Sequence, residues 1–370
     1  MKILAVGSYL IKDPNKQSQV DWWRIGRPIR ELKKHVDWQI DEQTTYIHGF
    51  EKYNSLEEFT NEELEKALKK LGEYDIVFSS YHADIAGYLL LKMANMKYGT
   101  QFVLDCDDDM FAINEDNPFW TKMDDEKTWR MQVMIRENDW ICTTNEYLAE
   151  RFRERRRRDP DNHPDESVFV NPNSISDVYP ECDFQNKDIM IGYFGGSSHL
   201  ADLHDTGALD AVARIMHENK NVRFKAIGIP VDTYIPRGRY QFVQGLRGTQ
   251  WTDKLFKTMK LDIALAPLGE NIFNRGKSDI KWQESTRAGS AVIATDIEPY
   301  QGIPKGAITL VKNTEEDWYK ALNKLLDKKT RQTQLKKARE ELKKRRLEIN
   351  WQQYKQMFER IHNANSQARK

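Results

Sequence analysis

Residues 191–203 read IGYFGGSSHLADL, a short apolar run that stops at two glycines and two serines and resumes with leucines. The run has the pattern of a buried strand, and Leu200 and Leu203, continued by Leu209, begin a helix. Gly195 and Gly196 allow close backbone approach, while Ser197, Ser198 and His199 lie where the free N–H groups of a helix start gather. Such a turn suits an anion, above all a diphosphate. The dinucleotide fingerprint G-x-G-x-x-G is absent, so an ordinary strand-to-helix turn is the competing reading.

The same grammar extends on both sides of this stretch. Downstream stand VRFKAIG (222–228), YQFVQGL (240–246), DIALAPL (262–268), AVIAT (291–295) and ITLV (308–311). Upstream stand KILAVG (2–7), DIVFSS (75–80), QFVLDC (101–106), WICTTN (140–145) and VFVNP (168–172). These runs are continuous rather than alternating, as strands buried on both faces of a parallel sheet are. Helical stretches such as Glu62 to Leu71 and Asn145 to Arg155 supply the crossovers. The fold class is therefore α/β, with two Rossmann-like doubly wound domains.

Asn173 to Lys187 contains Pro180, polar residues and little periodicity, which marks a linker. The division is residues 1–176, residues 177–345, and a terminal helix over 346–370. Trp351, Tyr354, Phe358 and Ile361 form one apolar stripe on that helix, which requires a docking partner. Two facing doubly wound sheets turn their strand C-termini toward a shared crevice, the usual ligand site of open α/β sheets.

The 370 residues accommodate two domains, or three. Lys plus Arg equal Asp plus Glu at 57 each, so global charge points to no nucleic-acid or membrane partner. Cys106, Cys142 and Cys182 are odd in number and far apart, which argues against a disulfide framework or a zinc cluster and fits a reducing compartment. The N-terminal apolar run is too brief for a secretory signal, and no stretch reaches the length of a membrane span. A cytoplasmic protein, at most peripheral to a membrane, is expected.

A second informative stretch is ENIFNRGKSDIKWQESTRAGSAVIAT (270–295). Ser278 is placed to cap a helix that runs to about Ala288 and stops at Gly289. Lys281 and Glu284 then share one face. Lysines 277 and 281 near a helix N-terminus oppose its dipole, which suggests an anionic ligand, and a carboxylate one turn further in suits sugar hydroxyls. The alternative is an exposed i, i+3 ion pair.

The glycine turn of 191–203, the run NRGKSDIKWQES followed by AG and a strand, TNEYLAERFRE (144–154) and VNPNSI (170–175) together resemble GT-B glycosyltransferases of the family-four type. WWRIGRPIREL (22–32) and VLDCDDDMF (103–111) resemble elements of bacterial and phage members. The resemblance implies a GT-B fold with a nucleotide-sugar donor in the C-terminal domain, an acceptor in the N-terminal domain and a last helix that crosses back. It implies that Glu284 binds the ribose, that Gly195 and Gly196 lie beneath the diphosphate with Ser197, Ser198 and His199 beside them, and that Lys277 and Lys281 contact phosphate, with Arg275 adding to the cluster. Gly276 stands eight residues before Glu284, where the family carries another glutamate.

The implied chemistry is retaining, metal-independent transfer from a UDP- or GDP-sugar, with no protein nucleophile and no cofactor. Positive charge and backbone N–H groups then stabilise the leaving diphosphate. His82, directly after DIVFSS, belongs at the crevice edge, where it joins Lys277 and Lys281 as a candidate catalytic residue able to hydrogen-bond the sugar or an acceptor hydroxyl, with a satisfied loop histidine as the alternative. Asp13, Arg24 and Arg27 are assigned to the acceptor side, with an ordinary turn role as the alternative for Asp13. Asp105, Asp107, Asp108 and Asp109 form an acidic patch for which a loop-structuring or acceptor-side role is expected rather than a metal site.

RFRERRRR (151–158) and KKAREELKKRRLE (336–348) are basic islands. Most such runs are solvated helix faces. The functional reading gives Arg155 and Arg156 a polyanionic acceptor: teichoic acid, a lipid phosphate surface or DNA with hydroxymethylated bases. Two other classes of function fit the residues: a non-catalytic sugar-nucleotide or polyanion-binding protein, and a phosphorylase-like or epimerase-like enzyme.

Overall fold

Continuous apolar runs become strands where helices cover both faces of a sheet, and most of this chain follows that rule. The computed structural model describes residues 1–13, 16–44, 59–80, 85–113, 115, 117, 120, 125–157, 164–196, 199–231, 235–236, 238–245 and 249–368. Among them, twelve strands form two six-stranded parallel sheets. The first contains β1 (Lys2–Val6), β2 (Gln39–Gln43), β3 (Ile76–Ser80), β4 (Gln101–Cys106), β5 (Trp140–Thr143) and β6 (Val168–Val170), in the order β2-β1-β3-β4-β5-β6. The second contains β7 (Ile189–Phe194), β8 (Val222–Ile227), β9 (Tyr240–Val243), β10 (Ile263–Ala266), β11 (Ala291–Thr295) and β12 (Thr309–Val311), in the order β12-β11-β10-β7-β8-β9. The two doubly wound sheets expected from the sequence are both present.

Each order reverses once, between β1 and β3 in the first sheet and between β7 and β10 in the second. Those reversals open crevices at the strand C-termini. Strands β4 and β11 are buried at every position. Strand β2, QIDEQ, buries only Ile40 and has no apolar run to announce it, as befits an edge.

The chain after residue 200 forms two helices, Leu200–Asp205 and Ala208–Glu218. Gly207 separates them at φ +76°, and a Cβ there would lie 2.5 Å from the Glu315 backbone nitrogen. The second informative stretch also differs from expectation at its start. Asp279, not Ser278, is the N-cap residue of the Ile280–Arg287 helix, and Ser278 Oγ instead accepts from Asn173 Nδ2 at 2.8 Å. Gly289 ends that helix at φ +91°, where a Cβ would strike the Cys182 carbonyl at 2.4 Å.

Residues 173–187 contain no helix or strand and are held by side chains from both halves. Arg287 and Arg346 pair with Asp177, and Glu348 accepts from Ser176 Oγ at 2.6 Å. The Leu347–Ala368 helix then returns to the first sheet, where Tyr354, Met357, Phe358 and Ile361 pack with Ile3, Ala5, Ile29 and Phe78. Phe358 and Phe78 meet edge to face with ring centroids 5.3 Å apart.

Candidate active site

A cavity of about 1160 Å³ lies between the two sheets. Its walls come from the ends of strands: Ser8 after β1, Ser80 of β3, Asp107 and Asp108 after β4, Gly195 and Gly196 after β7, Gly228 after β8 and Leu268 after β10. The crevices of both sheets therefore open into one space.

On the C-terminal side Lys281, Glu284 and His199 line the cavity together. Lys281 and Glu284 share a helix face and face inward, so the exposed ion pair is not what forms. Glu284 is 4% exposed, and its Oε1 has no hydrogen-bond partner among the described residues. Burial pushes its carboxyl up to about 8, against the pull of Lys281. Lys281 Nζ donates to the Tyr193 hydroxyl at 2.7 Å and sits over that ring. Burial, reinforced by Lys277, brings the ammonium down to about 8, although Asp202 and Glu284 favour the cation.

Tyr193 explains Gly195, because a Cβ at Gly195 would lie 2.5 Å from the Tyr193 hydroxyl. At Gly196 a Cβ would meet no heavy atom of the described residues within 4 Å. His199 pairs through Nδ1 with Asp202 Oδ2 at 2.9 Å. Burial first, and Lys281 next, hold this imidazole down at about 4, which keeps it neutral near pH 7. With Nδ1–H donating to the carboxylate, Nε2 is left as an acceptor. Asp202 also accepts from the Gly269 N–H at 2.8 Å and Asn274 Nδ2 at 2.7 Å, which fixes the loop after β10 beneath the site.

Lys277 lines the same cavity but is already engaged, donating to both oxygens of Asp108 at 2.8 Å across the cleft. Asn145 Nδ2 donates to the Gly276 and Lys277 carbonyls at 2.9 Å each, a second bridge between the halves. Arg275 turns away. Its guanidinium is half exposed, pairs with Glu298 at 3.3 Å and is absent from the cavity wall.

The N-terminal wall carries a network that sequence reasoning missed. Asp21 is 2% exposed and accepts from the Ser8 N–H at 2.7 Å, Ser8 Oγ at 2.6 Å and Ser80 Oγ. Asp21 and its two serine partners come from three separate segments, so no local spacing reveals the network. Tyr193 and Asp202 were missed for the same reason, although both lie within the glycine-turn segment.

Several acceptor-side assignments are corrected. Arg24 is fully buried and forked onto Asp105 at 2.8 and 2.7 Å, with its remaining nitrogen donating to the Asn171 carbonyl and Asn173 Oδ1. It lines the cavity while bracing the end of β4, its charge already met by Asp105. Arg27 donates to Ser176 Oγ and lies over Trp22 and Tyr179 at the linker, away from the cavity wall. Arg156 is buried and donates to the Ile135, Asn138 and Asp139 carbonyls and to Ser167 Oγ. Arg155 stacks on Phe111 and approaches Asp109 at 3.5 Å. Asp13 is exposed in a turn, its carbonyl accepting from the Lys16 N–H. His82, Ser197, Ser198 and Arg158 lie outside the described residues.

Among the described residues, no group of three or more His, Cys, Asp or Glu side chains could hold a metal ion. No helix among them is long and apolar enough to cross a membrane.

No family model matches the sequence, and no curated protein matches it significantly. Solved structures do match. HepE of Anabaena in complex with UDP is 12% identical over 97% of this chain and 100% of that one, with a TM-score of 0.62. A glycosyltransferase of Rickettsia africae is 13% identical over 97% and 98%, with a TM-score of 0.63. A Listeria monocytogenes protein described as a UDP-N-acetylglucosamine 2-epimerase is 12% identical over 95% and 94%, with a TM-score of 0.54. At such identity the likeness concerns architecture, and one architecture serves transfer and epimerisation alike. The chain has the GT-B fold, two Rossmann-like domains facing an interdomain cleft.

Proposed function

We propose that this protein is a glycosyltransferase of the family-four type that moves a sugar from a UDP- or GDP-sugar to an acceptor hydroxyl with retention. The observation that carries the reading is Glu284: a buried carboxyl with an unpaired oxygen, lining a cleft beside Lys281 and the Gly195-Gly196 turn. An uncompensated buried acceptor is costly unless a ligand supplies its partner. The ribose hydroxyls of a nucleotide would supply it. HepE, whose fold this chain shares, has been solved with UDP and with UDP-glucose.

In this reading the nucleotide lies against residues 177–345, the acceptor enters along residues 1–176, and residues 346–370 complete the acceptor domain. Gly196 leaves room for the diphosphate near the helix start, and Lys281 balances the charge that grows on the leaving group. His199 Nε2 accepts a sugar hydroxyl. Lys277 holds the cleft closed through Asp108 and reaches phosphate by exchanging that partner. Three of the four acids at the end of β4 are engaged instead of open to a divalent ion, Asp105 by Arg24, Asp108 by Lys277 and Asp109 by Arg151, which leaves Asp107 as a single carboxylate. Transfer therefore proceeds without metal, and turnover survives EDTA.

The acceptor fits a glycan better than teichoic acid or DNA, because the 151–157 arginines are taken up internally. Arg153 pairs with Glu146 and Glu150, and Arg157 with Glu150 and Asp165. Three free thiols fit a cytoplasmic setting.

A thermal-shift panel of UDP-, GDP-, ADP- and CMP-sugars tests the donor, since a ligand bound by the fold alone stabilises it by RT ln(1 + [L]/Kd). A UDP- or GDP-sugar should raise Tm, and Glu284→Ala should weaken that binding about ten- to hundredfold. No shift with any nucleotide sugar would overturn the reading. Conversion of the donor to its epimer without acceptor would replace transfer by epimerisation.

A further inference from the structure

Four carboxylates stand at the end of β4, and three of them are neutralised. Asp105 receives a fork from Arg24, Asp108 receives Lys277, and Asp109 receives Arg151 at 2.9 Å and Arg155 at 3.5 Å. Asp107 is the exception. It lines the cavity and has neither a hydrogen bond nor an ion pair among the described residues. Its environment does not favour a bare charge: burial raises its pKa, Asp108 and Asp105 add to the effect, and Lys277 and Arg24 oppose it.

A second carboxyl in the same cavity is also unsatisfied. Glu284 Oε1, on the opposite domain, is buried without a partner. The cavity thus presents one unpaired carboxyl from each domain, which points to a polar ligand spanning both. If Glu284 takes the nucleotide, as proposed above, the reacting end of the donor faces the end of β4, the wall on which Asp107 stands.

We propose that Asp107 is the catalytic residue that accepts the proton of the attacking acceptor hydroxyl. The assignment rests on the nucleotide-sugar reading and deepens it. In the step, the acceptor oxygen approaches from the face that the diphosphate leaves, as retention requires, and forms a bond to the anomeric carbon as the bond from that carbon to the diphosphate oxygen breaks. The diphosphate leaves with the electron pair, the hydroxyl proton moves to an Asp107 oxygen, and the carboxylic acid later returns it to solvent. Lys277 and Arg24 keep the acid from rising so far that it is always protonated. A base of this kind contributes about 10²- to 10⁴-fold to rate and works best with a pKa near the working pH.

The experiment uses the full chain with UDP-glucose, water as the acceptor and sodium azide as an acceptor with no proton to lose. Asp107→Asn should keep the UDP-induced rise in Tm, lose about 10²- to 10⁴-fold in release of UDP, and lose the fall in rate toward acid pH that the wild type shows. Asp107→Ala with azide should recover turnover and form glucosyl azide, because azide needs no base. A merely structural carboxylate would give no azide rescue. Water-dependent turnover of Asp107→Asn within about threefold of wild type, absence of azide rescue in a variant that still binds UDP, or loss of the UDP shift on substitution would each overturn the assignment. Failure of the wild type itself to bind any nucleotide sugar of the panel would sink the donor reading and this assignment with it; binding of a GDP-sugar alone would move the same experiment to that donor.

Discussion

Lys277 Nζ lies 2.8 Å from both carboxylate oxygens of Asp108, and the two residues belong to opposite domains. The pair is partly shielded, with side-chain exposures of 17% and 24%, and both residues line the cavity. It acts as a clasp on the cleft as well as a source of charge.

A double-mutant cycle of Lys277→Ala and Asp108→Ala should show a coupling of about 0.5–3 kcal/mol, as neighbours in direct contact do. Urea unfolding of the four proteins measures it. Strict additivity would show that the clasp contributes nothing to closure.

Two groups in the site impose opposite pH slopes on stability. Glu284 is raised from an ordinary 4.5 to about 8, so its contribution is full below about pH 4.5 and is lost as pH climbs through 8, because the unfolded chain ionises first. His199 is lowered from 6.5 to about 4, so its contribution is full above 6.5 and is lost as pH falls through 4. Glu284→Gln should flatten the alkaline fall in Tm, and His199→Gln the acid fall. Melting curves from pH 4 to 9 without ligand check both, and Glu284→Gln tracking the wild type above pH 5 would contradict the first.

The adjacent glycines should respond differently to a methyl group. Gly195→Ala collides with the Tyr193 hydroxyl and disturbs its bond from Lys281, so both Tm and UDP affinity should drop. Gly196→Ala meets nothing among the described residues, so Tm should hold while UDP binding weakens. Calorimetry with UDP and a melting curve for each variant separate the two. A Gly196→Ala protein that binds UDP like wild type would remove the diphosphate from that spot.

Arg156 and Arg157 are neighbours with unlike roles. Arg156→Ala should destabilise by more than about 3 kcal/mol, since it orphans several buried acceptors at about 1–3 kcal/mol each. Arg157→Ala, removing a surface pair with Glu150 and Asp165, should leave unfolding almost unchanged. Substituting Arg153, Arg155 and Arg157 together should also leave the salt dependence of acceptor turnover parallel to that of wild type. A flatter slope would restore the polyanion.

The sheets were legible because a strand buried on both faces has to be apolar throughout, and eleven of the twelve strands among the described residues are marked by such runs. β2 escaped because an edge strand needs only Ile40 inside. Lys281 and Glu284 were legible as a face because helical spacing is local. What each side chain touches was not. Ser278 looked like a cap until Asp279 took the position, and the arginines of 151–157 looked like a free basic surface. The acids that engage most of them stand outside the run, at Asp109, Glu146 and Asp165. Composition counts charges, while only the fold decides which are already spoken for.

The returning C-terminal helix has a consequence for how the chain is made. The face of the first sheet built from Ile3, Phe78 and their neighbours is covered by Tyr354, Met357, Phe358 and Ile361, more than 180 residues beyond β6. A nascent chain that has emerged through its first domain still shows an open apolar face, and keeps it while the whole second domain is synthesised. The first half therefore cannot mature on the ribosome as a finished unit, and a nonsense codon ahead of the Leu347–Ala368 helix would damage the part translated earliest.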